Sequence, residues 1–434
     1  MAAFLDANAP GFEADFVALL NAKRESAEDV DATVAAILND VRARGDAALA
    51  EYCLRFDRVD IARLGLRISA EEIQAAVSAA DPKAVKALEF AHERVLAYHR
   101  RQAPQDVAFV DALGVELGWR WRPIESVGLY VPGGAASYPS SVLMNAAPAK
   151  VAGCARIAMV VPTPDGRINP LVLAAARIAG VDEIYRVGGA QAIAALAFGT
   201  PTIKPVAKIV GPGNAFVAAA KRRVFGIVGI DLIAGPSEVV VIADSSADPR
   251  YVAADLLAQA EHDEAAQSIL ITDDPALARV VGAEVERQLA LLPRVKIAGA
   301  SWRDYGAVIV VPTLAAAAKL VDRLAPEHLE ILAVDAEALS QGINNAGAIF
   351  LGAFTPEAIG DYVGGSNHVL PTSRSARFSS GLGVYDFVKR TSILKCDARS
   401  LAALAPAAIT LGEAEGLSAH ARSVSIRLES DGPG

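Results

Sequence analysis

A chain of 434 residues exceeds what one hydrophobic core organises, so at least two domains are expected. Apolar residues make up 53% and aromatic ones 6%, which excludes disordered and collagen-like chains and points to an aliphatic core. With 41 basic against 50 acidic residues the net charge is −9, which argues against nucleic acid or an anionic membrane as partner. The start, from Met1 to Phe16, carries Asp6, Glu13 and Asp15 in place of the basic-then-apolar layout of a secretory signal. No apolar run reaches the roughly 18 residues of a membrane span. Cys53, Cys154 and Cys396 form no C-x-x-C pair, which disfavours a disulfide framework or a thiolate zinc site. A reducing, cytoplasmic compartment is expected.

Residues 26–100 read as helical, with caps at Ser69, where Glu72 completes a capping box, and at Asp81 before Pro82. Residues 107–130 read as short strands punctuated by Gly114 and Gly118. After the Pro-Gly-Gly at 132–134 the texture alternates: strand 157–161, helix 171–179, strand 183–187, helix 190–198. A second series follows, with strand Glu238–Ala243, helix Pro249–Ala260, strand 268–272 and helix 275–291. One β-α-β-α unit used twice implies mostly parallel sheets covered by helices. Segments 307–311 and 331–334 read as further strands. The tail from Leu382 reads as a small module or arm, helical at 400–408 and strand-like at 423–428.

Of the six histidines, His92 and His99 stand among charged residues on an Ala-rich helical stretch, where a solvated or half-buried place is expected. His262, His328, His368 and His420 neighbour carboxylates, Asn or turn glycines, either as unrelated polar residues or as parts of one site. Gln259 and His262, at positions i and i+3 near a helix end, share a face and can point at one object; of the two, only His is a usual zinc ligand. Glu327 and His328 follow Pro326. Adjacent on a helix, they would aim two proton acceptors in different directions, as a two-step reaction could use, or Glu327 would simply favour a helix N-terminus. A Gly-rich loop from Gly360 to His368 holds Asp361, a hard oxygen ligand for a divalent metal, with a plain surface turn as the alternative. Glu415 and His420 again pair an acid with a histidine. Neither G-x-G-x-x-G nor a P-loop occurs, while the turns at 188–191 and 211–214 follow strands and can present backbone N–H groups to phosphate.

Taken in order, the motifs Tyr130-Val-Pro-Gly-Gly, Gly188-Gly-Ala-Gln-Ala, Gly211-Pro-Gly-Asn, Ala234-Gly-Pro-Ser-Glu and Gln259-Ala-Glu-His-Asp resemble the histidinol dehydrogenase family. The likeness continues through Ala325-Pro-Glu-His-Leu, Gly360-Asp-Tyr, Asn367-His-Val-Leu-Pro-Thr, Phe387-Val-Lys-Arg and Glu415-Gly-Leu-Ser-Ala-His, so it spans roughly residues 30 to 428. It implies a zinc- and NAD-dependent, four-electron oxidation of L-histidinol through L-histidinaldehyde to L-histidine. Zinc (Zn2+, one per site) would sit on Gln259, His262, Asp361 and His420. Ser237, His328, His368 and Glu415 would contact substrate beside those ligands, and Tyr130, Gln191 and Asn214 would line the NAD site. Glu327 and His328 would be catalytic: His328, with an ordinary pKa near 6.5, suits the alcohol proton, and Glu327 suits activation of water.

The fold implied by the resemblance is α/β: a domain-swapped homodimer of two incomplete Rossmann-like domains with mostly parallel sheets, plus small C-terminal modules. On this chain that means an N-terminal arm at 1–24 and a discontinuous α/β domain at 25–130 and 239–381 carrying the zinc and catalytic residues. A Rossmann-like NAD-binding domain would take 131–238, and tail modules would take 382–434 and reach the partner's site. Two other activities use some of the same residues. One is oxidation of other small polar alcohols such as sulfonate diols, against which His368 and Glu415 favour a cationic, imidazole-bearing substrate. The other is hydrolysis at zinc with Glu327 as base.

Overall fold

The computed structural model describes residues 2–22, 30–133 and 138–429. Ser26, where the expected helical stretch begins, and Gly134 of the first motif lie outside the described residues. Within 30–100 the chain forms helices Val30–Arg44, Asp46–Tyr52, Ala70–Ala79 and Pro82–Arg100, with a π-helical turn at Cys53–Asp57. The Ser69 hydroxyl accepts the Glu72 N–H at 3.2 Å and the Glu72 carboxylate accepts the Ser69 N–H at 2.9 Å, the reciprocal box expected there. His99 is not solvated but fully buried: helix Pro82–Arg100 is covered by helix Pro139–Ala152, and His99 Nδ1 turns back to the Val95 carbonyl at 2.7 Å.

A five-stranded parallel sheet has the order Glu183–Arg186, Arg156–Val161, Ser126–Tyr130, Lys208–Val210, Gly229–Ile230. Its strands are apolar on both sides because helices cover both faces. Val127, Leu129, Ile157 and Met159 pack on one side with helices Pro139–Ala152 and Pro170–Ile178. Ala158, Val160 and Ile209 pack on the other with helices Val30–Arg44, Gly189–Phe198 and Ala215–Val224. The chain moves outward from Ser126–Tyr130 twice in one direction and then resumes on its other side. The strand order therefore reverses between Ser126–Tyr130 and Lys208–Val210, where open α/β sheets bind ligands beyond the carboxyl ends of the strands. Residues 30–130 thus share a core with 131–238, so a boundary at 130 runs through one sheet.

The second sheet, also parallel, has the order Ala3–Asp6, Ala307–Val310, Gln267–Thr272, Glu238–Ala243, His328–Leu332, Ala348–Leu351. Its first strand belongs to the N-terminal segment, and Phe16 is buried in the same core. A small antiparallel sheet joins Val388–Lys395, Glu116–Pro123 and Val107–Val110, and a helical hairpin, Ala398–Ala414 and Ser418–Glu429, follows it. The expected strand at 423–428 is therefore helical. Ala421 packs so closely on the preceding helix that a Cβ on Gly412 would lie 3.1 Å from the Ala421 nitrogen, and this contact overrides the local alternation. Among the described residues no helix is long and apolar enough to cross a membrane.

Candidate active site

His328 opens strand His328–Leu332 in place of the helix start that Pro326 suggested, so it and Glu327 diverge at the amino end of a strand. Its imidazole is buried. Nδ1 lies 3.1 Å from Gln259 Oε1, 3.6 Å from Glu357 Oε2 and 3.9 Å from Glu327 Oε2. Nε2 lies 3.6 Å from Asp361 Oδ1, beyond hydrogen-bond range, and has no hydrogen-bond partner among the described residues.

Helix Pro249–Ala260, capped by the Asp248 carboxylate, brings Gln259 to this point fully buried. His262 sits exposed in the turn just beyond, its Nδ1 3.4 Å from Gln259 Nε2, so the i, i+3 pair does address one place. Asp361 is not in a loop: helix Glu357–Tyr362 carries it. Gly360 serves packing there, since a Cβ would lie 2.4 Å from the Phe350 ring. The same helix puts Glu357 one turn ahead of Asp361 and on the same face. Ligand atoms of His262, Glu357 and Asp361 all lie within 4.8 Å of one another. Neither carboxylate oxygen of buried Glu357 has a hydrogen-bond partner among the described residues.

His368 bridges toward the first sheet, with Nδ1 2.8 Å from the Asp361 carbonyl oxygen and Nε2 3.2 Å from Ser141 Oγ on helix Pro139–Ala152. Ser237, just before strand Glu238–Ala243, hydrogen-bonds the Glu327 carboxylate. The acids outnumber the cations here, and titration reflects it. Burial pushes Glu327 up to about 7 and Glu357 up to about 8, each held back by the charge of His328. For His328 burial works downward, but the charges of Glu357, Glu327 and Asp361 outweigh it and hold the imidazole well above its ordinary value. Behind the cluster, Glu330 on the same strand pairs with Asp255 on helix Pro249–Ala260; burial first, then the Asp255 charge, raises Glu330 to about 10. Unpaired carboxylate oxygens around one imidazole suit a cationic guest, a divalent metal or an ammonium group.

Reading motifs missed Glu357, Glu330 and Asp255. The proline before Glu357, with Asp361 at i+4, was an available signal for a helix start bearing two acids on one face.

Tyr130, Gln191 and Asn214 gather at the carboxyl edge of the first sheet. Tyr130 ends its strand, and its hydroxyl accepts the Gly189 N–H at 3.1 Å. Gln191 is buried in the first turn of helix Gly189–Phe198, and Asn214 caps helix Ala215–Val224 by accepting the Val217 N–H at 3.2 Å. Glu415 and His420 do not join the cluster within one chain. Both are exposed on the helical hairpin, and no hydrogen bond or ion pair among the described residues links them to it.

A strand-order reversal in a parallel sheet, with Tyr130, Gln191 and Asn214 at its carboxyl edge, and a buried imidazole ringed by acids are features of an α/β oxidoreductase that uses a nicotinamide dinucleotide. The histidinol dehydrogenase family model matches residues 20–428. The chain is 67% identical over 417 residues to histidinol dehydrogenase of Mesorhizobium japonicum, covering 96% of this chain and 97% of that one. It is 65% identical over 424 residues to that of Bradyrhizobium diazoefficiens, covering 98% of each. The crystal structure of histidinol dehydrogenase from Elizabethkingia anophelis matches with a TM-score of 0.94 at 37% identity, covering 99% of this chain and 98% of that one. The chain belongs to the histidinol dehydrogenase family. An acetylating aldehyde dehydrogenase from Geobacillus thermoglucosidasius, 15% identical with a TM-score of 0.50 over 88% of this chain and 94% of its own, shares the fold alone.

Proposed function

We propose that the chain oxidises L-histidinol through L-histidinaldehyde to L-histidine, consuming two NAD in turn and one water, at a zinc site shared between the two chains of a cytoplasmic homodimer. The observation that carries this reading is His328: a buried imidazole with Nδ1 backed by Gln259 and Glu357, and Nε2 facing the Asp361 carboxylate at 3.6 Å with no hydrogen-bond partner among the described residues.

The donor set fits a divalent ion. His262, Glu357 and Asp361 converge, and Glu357 and His328 carry buried atoms with no hydrogen-bond partner among the described residues. Gln259, His262 and Asp361 would hold zinc together with the partner subunit's His420. When bound, zinc would supply a positively charged template that orients a nitrogen-bearing substrate for reaction. NAD supplies the hydride acceptor for both steps.

The side chains do the rest. In its neutral form, with Nδ1–H facing acceptors, His328 would take the alcohol proton at Nε2 as hydride departs; a cationic guest beside Glu357 and Asp361 would offset the carboxylate charges that otherwise keep the imidazole protonated. Glu327, braced by Ser237 and raised to about 7, is a base of suitable strength to take a proton from water as its oxygen adds to the aldehyde. The hydrate then loses the second hydride, leaving the carboxylate. His368 and the partner subunit's Glu415 hold the substrate's polar ends, and Tyr130, Gln191 and Asn214 hold the dinucleotide. Retaining the aldehyde between steps keeps it from side reactions.

Limiting L-histidinol tests the whole reading: two NADH per substrate with little free aldehyde is expected. One NADH with aldehyde accumulating, a preference for another polar alcohol, or hydrolysis without NADH would overturn it.

A further inference from the structure

Strand Lys208–Val210 ends at Gly211, at the place where the strand order reverses. Gly211 has φ +110°, and a Cβ on it would lie 2.2 Å from the Tyr130 carbonyl oxygen, so the turn at 211–214 passes against the neighbouring strand and accepts glycine alone. Two charged side chains grip this residue from either side. Asp231, just after strand Gly229–Ile230, accepts the Gly211 N–H at 2.7 Å. Lys221, on helix Ala215–Val224, donates to the Gly211 carbonyl oxygen at 3.1 Å and closes the triangle by pairing with Asp231. The two side chains are 2% and 1% exposed.

A buried ion pair is a poor way to gain stability, because the desolvation of both charges offsets their attraction and a well-packed apolar pair often does as well. What an apolar pair cannot do is satisfy both backbone groups of a buried glycine at once. The grip also reaches the other Gly-rich turn, because the backbone of Tyr130 abuts Gly211 while its hydroxyl receives the Gly189 N–H.

We propose that Lys221 and Asp231 are positioning residues for the dinucleotide: their ion pair straddles Gly211 and holds the 211–214 turn in the shape that receives NAD. This rests on the reading of Tyr130, Gln191 and Asn214 as the NAD site. The pair does not touch the reaction; it acts through the turn.

The test is a double variant, Lys221→Met with Asp231→Leu, which leaves no unpaired charge behind. The KM for NAD is expected to rise about tenfold or more, equivalent to at least about 1.4 kcal/mol of binding. The KM for L-histidinol, kcat at saturating NAD and zinc content are expected to stay near wild type. A folded dimer whose KM for NAD is unchanged, or one in which all parameters fall together, overturns the proposal. Should the double variant not fold, Lys221→Met with Asp231→Asn, which keeps an acceptor for the Gly211 N–H, removes the donor to its carbonyl and leaves no unpaired charge, is read by the same split. Gln191→Ala, run alongside, reports on the underlying reading. If neither variant weakens NAD, the dinucleotide lies elsewhere and the proposal falls with its basis; if only Gln191→Ala does, the role of Lys221 and Asp231 alone falls.

Discussion

Replacing Glu330 with Gln is expected to stabilise the fold by an amount that grows with pH. Glu330 is fully buried on strand His328–Leu332, its Oε1 accepts the Glu357 N–H at 2.8 Å, and burial together with Asp255 raises its carboxyl to about 10. The folded chain therefore keeps a proton that the unfolded chain releases above about pH 4.3. Stability is fully present below that pH and declines as pH rises toward 10, by up to about 1.4 kcal/mol per pH unit for one proton. From pH 5.5 to 8.5 the upper bound is about 4 kcal/mol. Gln copies the protonated acid: its oxygen still accepts from Glu357 and its amide can donate to Asp255, so that Asp255 can ionise. At roughly 2–4 °C per kcal/mol for a domain of this size class, the bound corresponds to roughly 8–16 °C in Tm. Thermal scans of both proteins, at matched concentration and scan rate, should show the smallest gap near pH 5.5, with the Gln variant ahead by several degrees near pH 8.5. A gap independent of pH, or a wild type ahead at the higher pH, would refute the reasoning.

Separate assays of the two half-reactions should find Glu327→Gln slower in aldehyde oxidation than in alcohol oxidation, by about 10²-fold or more in the former, whereas His328→Ala should harm the alcohol step as well. Equal loss of both steps in Glu327→Gln would remove its role toward water. Co-refolding inactive His262→Ala and His420→Ala chains in equal amounts with zinc should return about a quarter of wild-type activity. Random pairing makes about half the dimers mixed, each with one intact site of two. No recovery, with mixed dimers confirmed by mass, would place the tail in its own chain's site. Cys53 and Cys154 are buried, and burial pushes their thiols up to about 12 and about 11, so they are poor thiolates at neutral pH. A variant with Cys53, Cys154 and Cys396 all changed to Ser should keep zinc-dependent turnover in its folded fraction; loss of chemistry in a folded protein would point instead to a thiohemiacetal route.

By itself the sequence determined the elements that depend on near neighbours. The capping box at Ser69 and Glu72, the alternating strands and helices of two parallel sheets, and the shared face of Gln259 and His262 all follow from spacing of a few residues. Its motifs also pointed to Glu327, His328, Asp361 and the two Gly-rich turns as candidates, because each lies within a short, ordered string. Tertiary structure decided the rest. Glu357, Glu330 and Asp255 became one buried acidic group only when strand His328–Leu332 and two helices met. Gly360, which reads as a flexible loop residue, is instead the gap into which Phe350 packs. His99 was buried by a helix that begins far along the chain, and the alternation at 423–428 gave way to contact with the preceding helix. Lys221 and Asp231, two ordinary surface-type residues in the string, enclose Gly211 because a helix and a strand bring them to it from opposite sides. Local backbone preference is set by adjacent residues and is readable from them. Burial, charge pairing and pKa depend on which distant segments come within a few ångströms, and that distance is fixed only when the sheets and helices have packed.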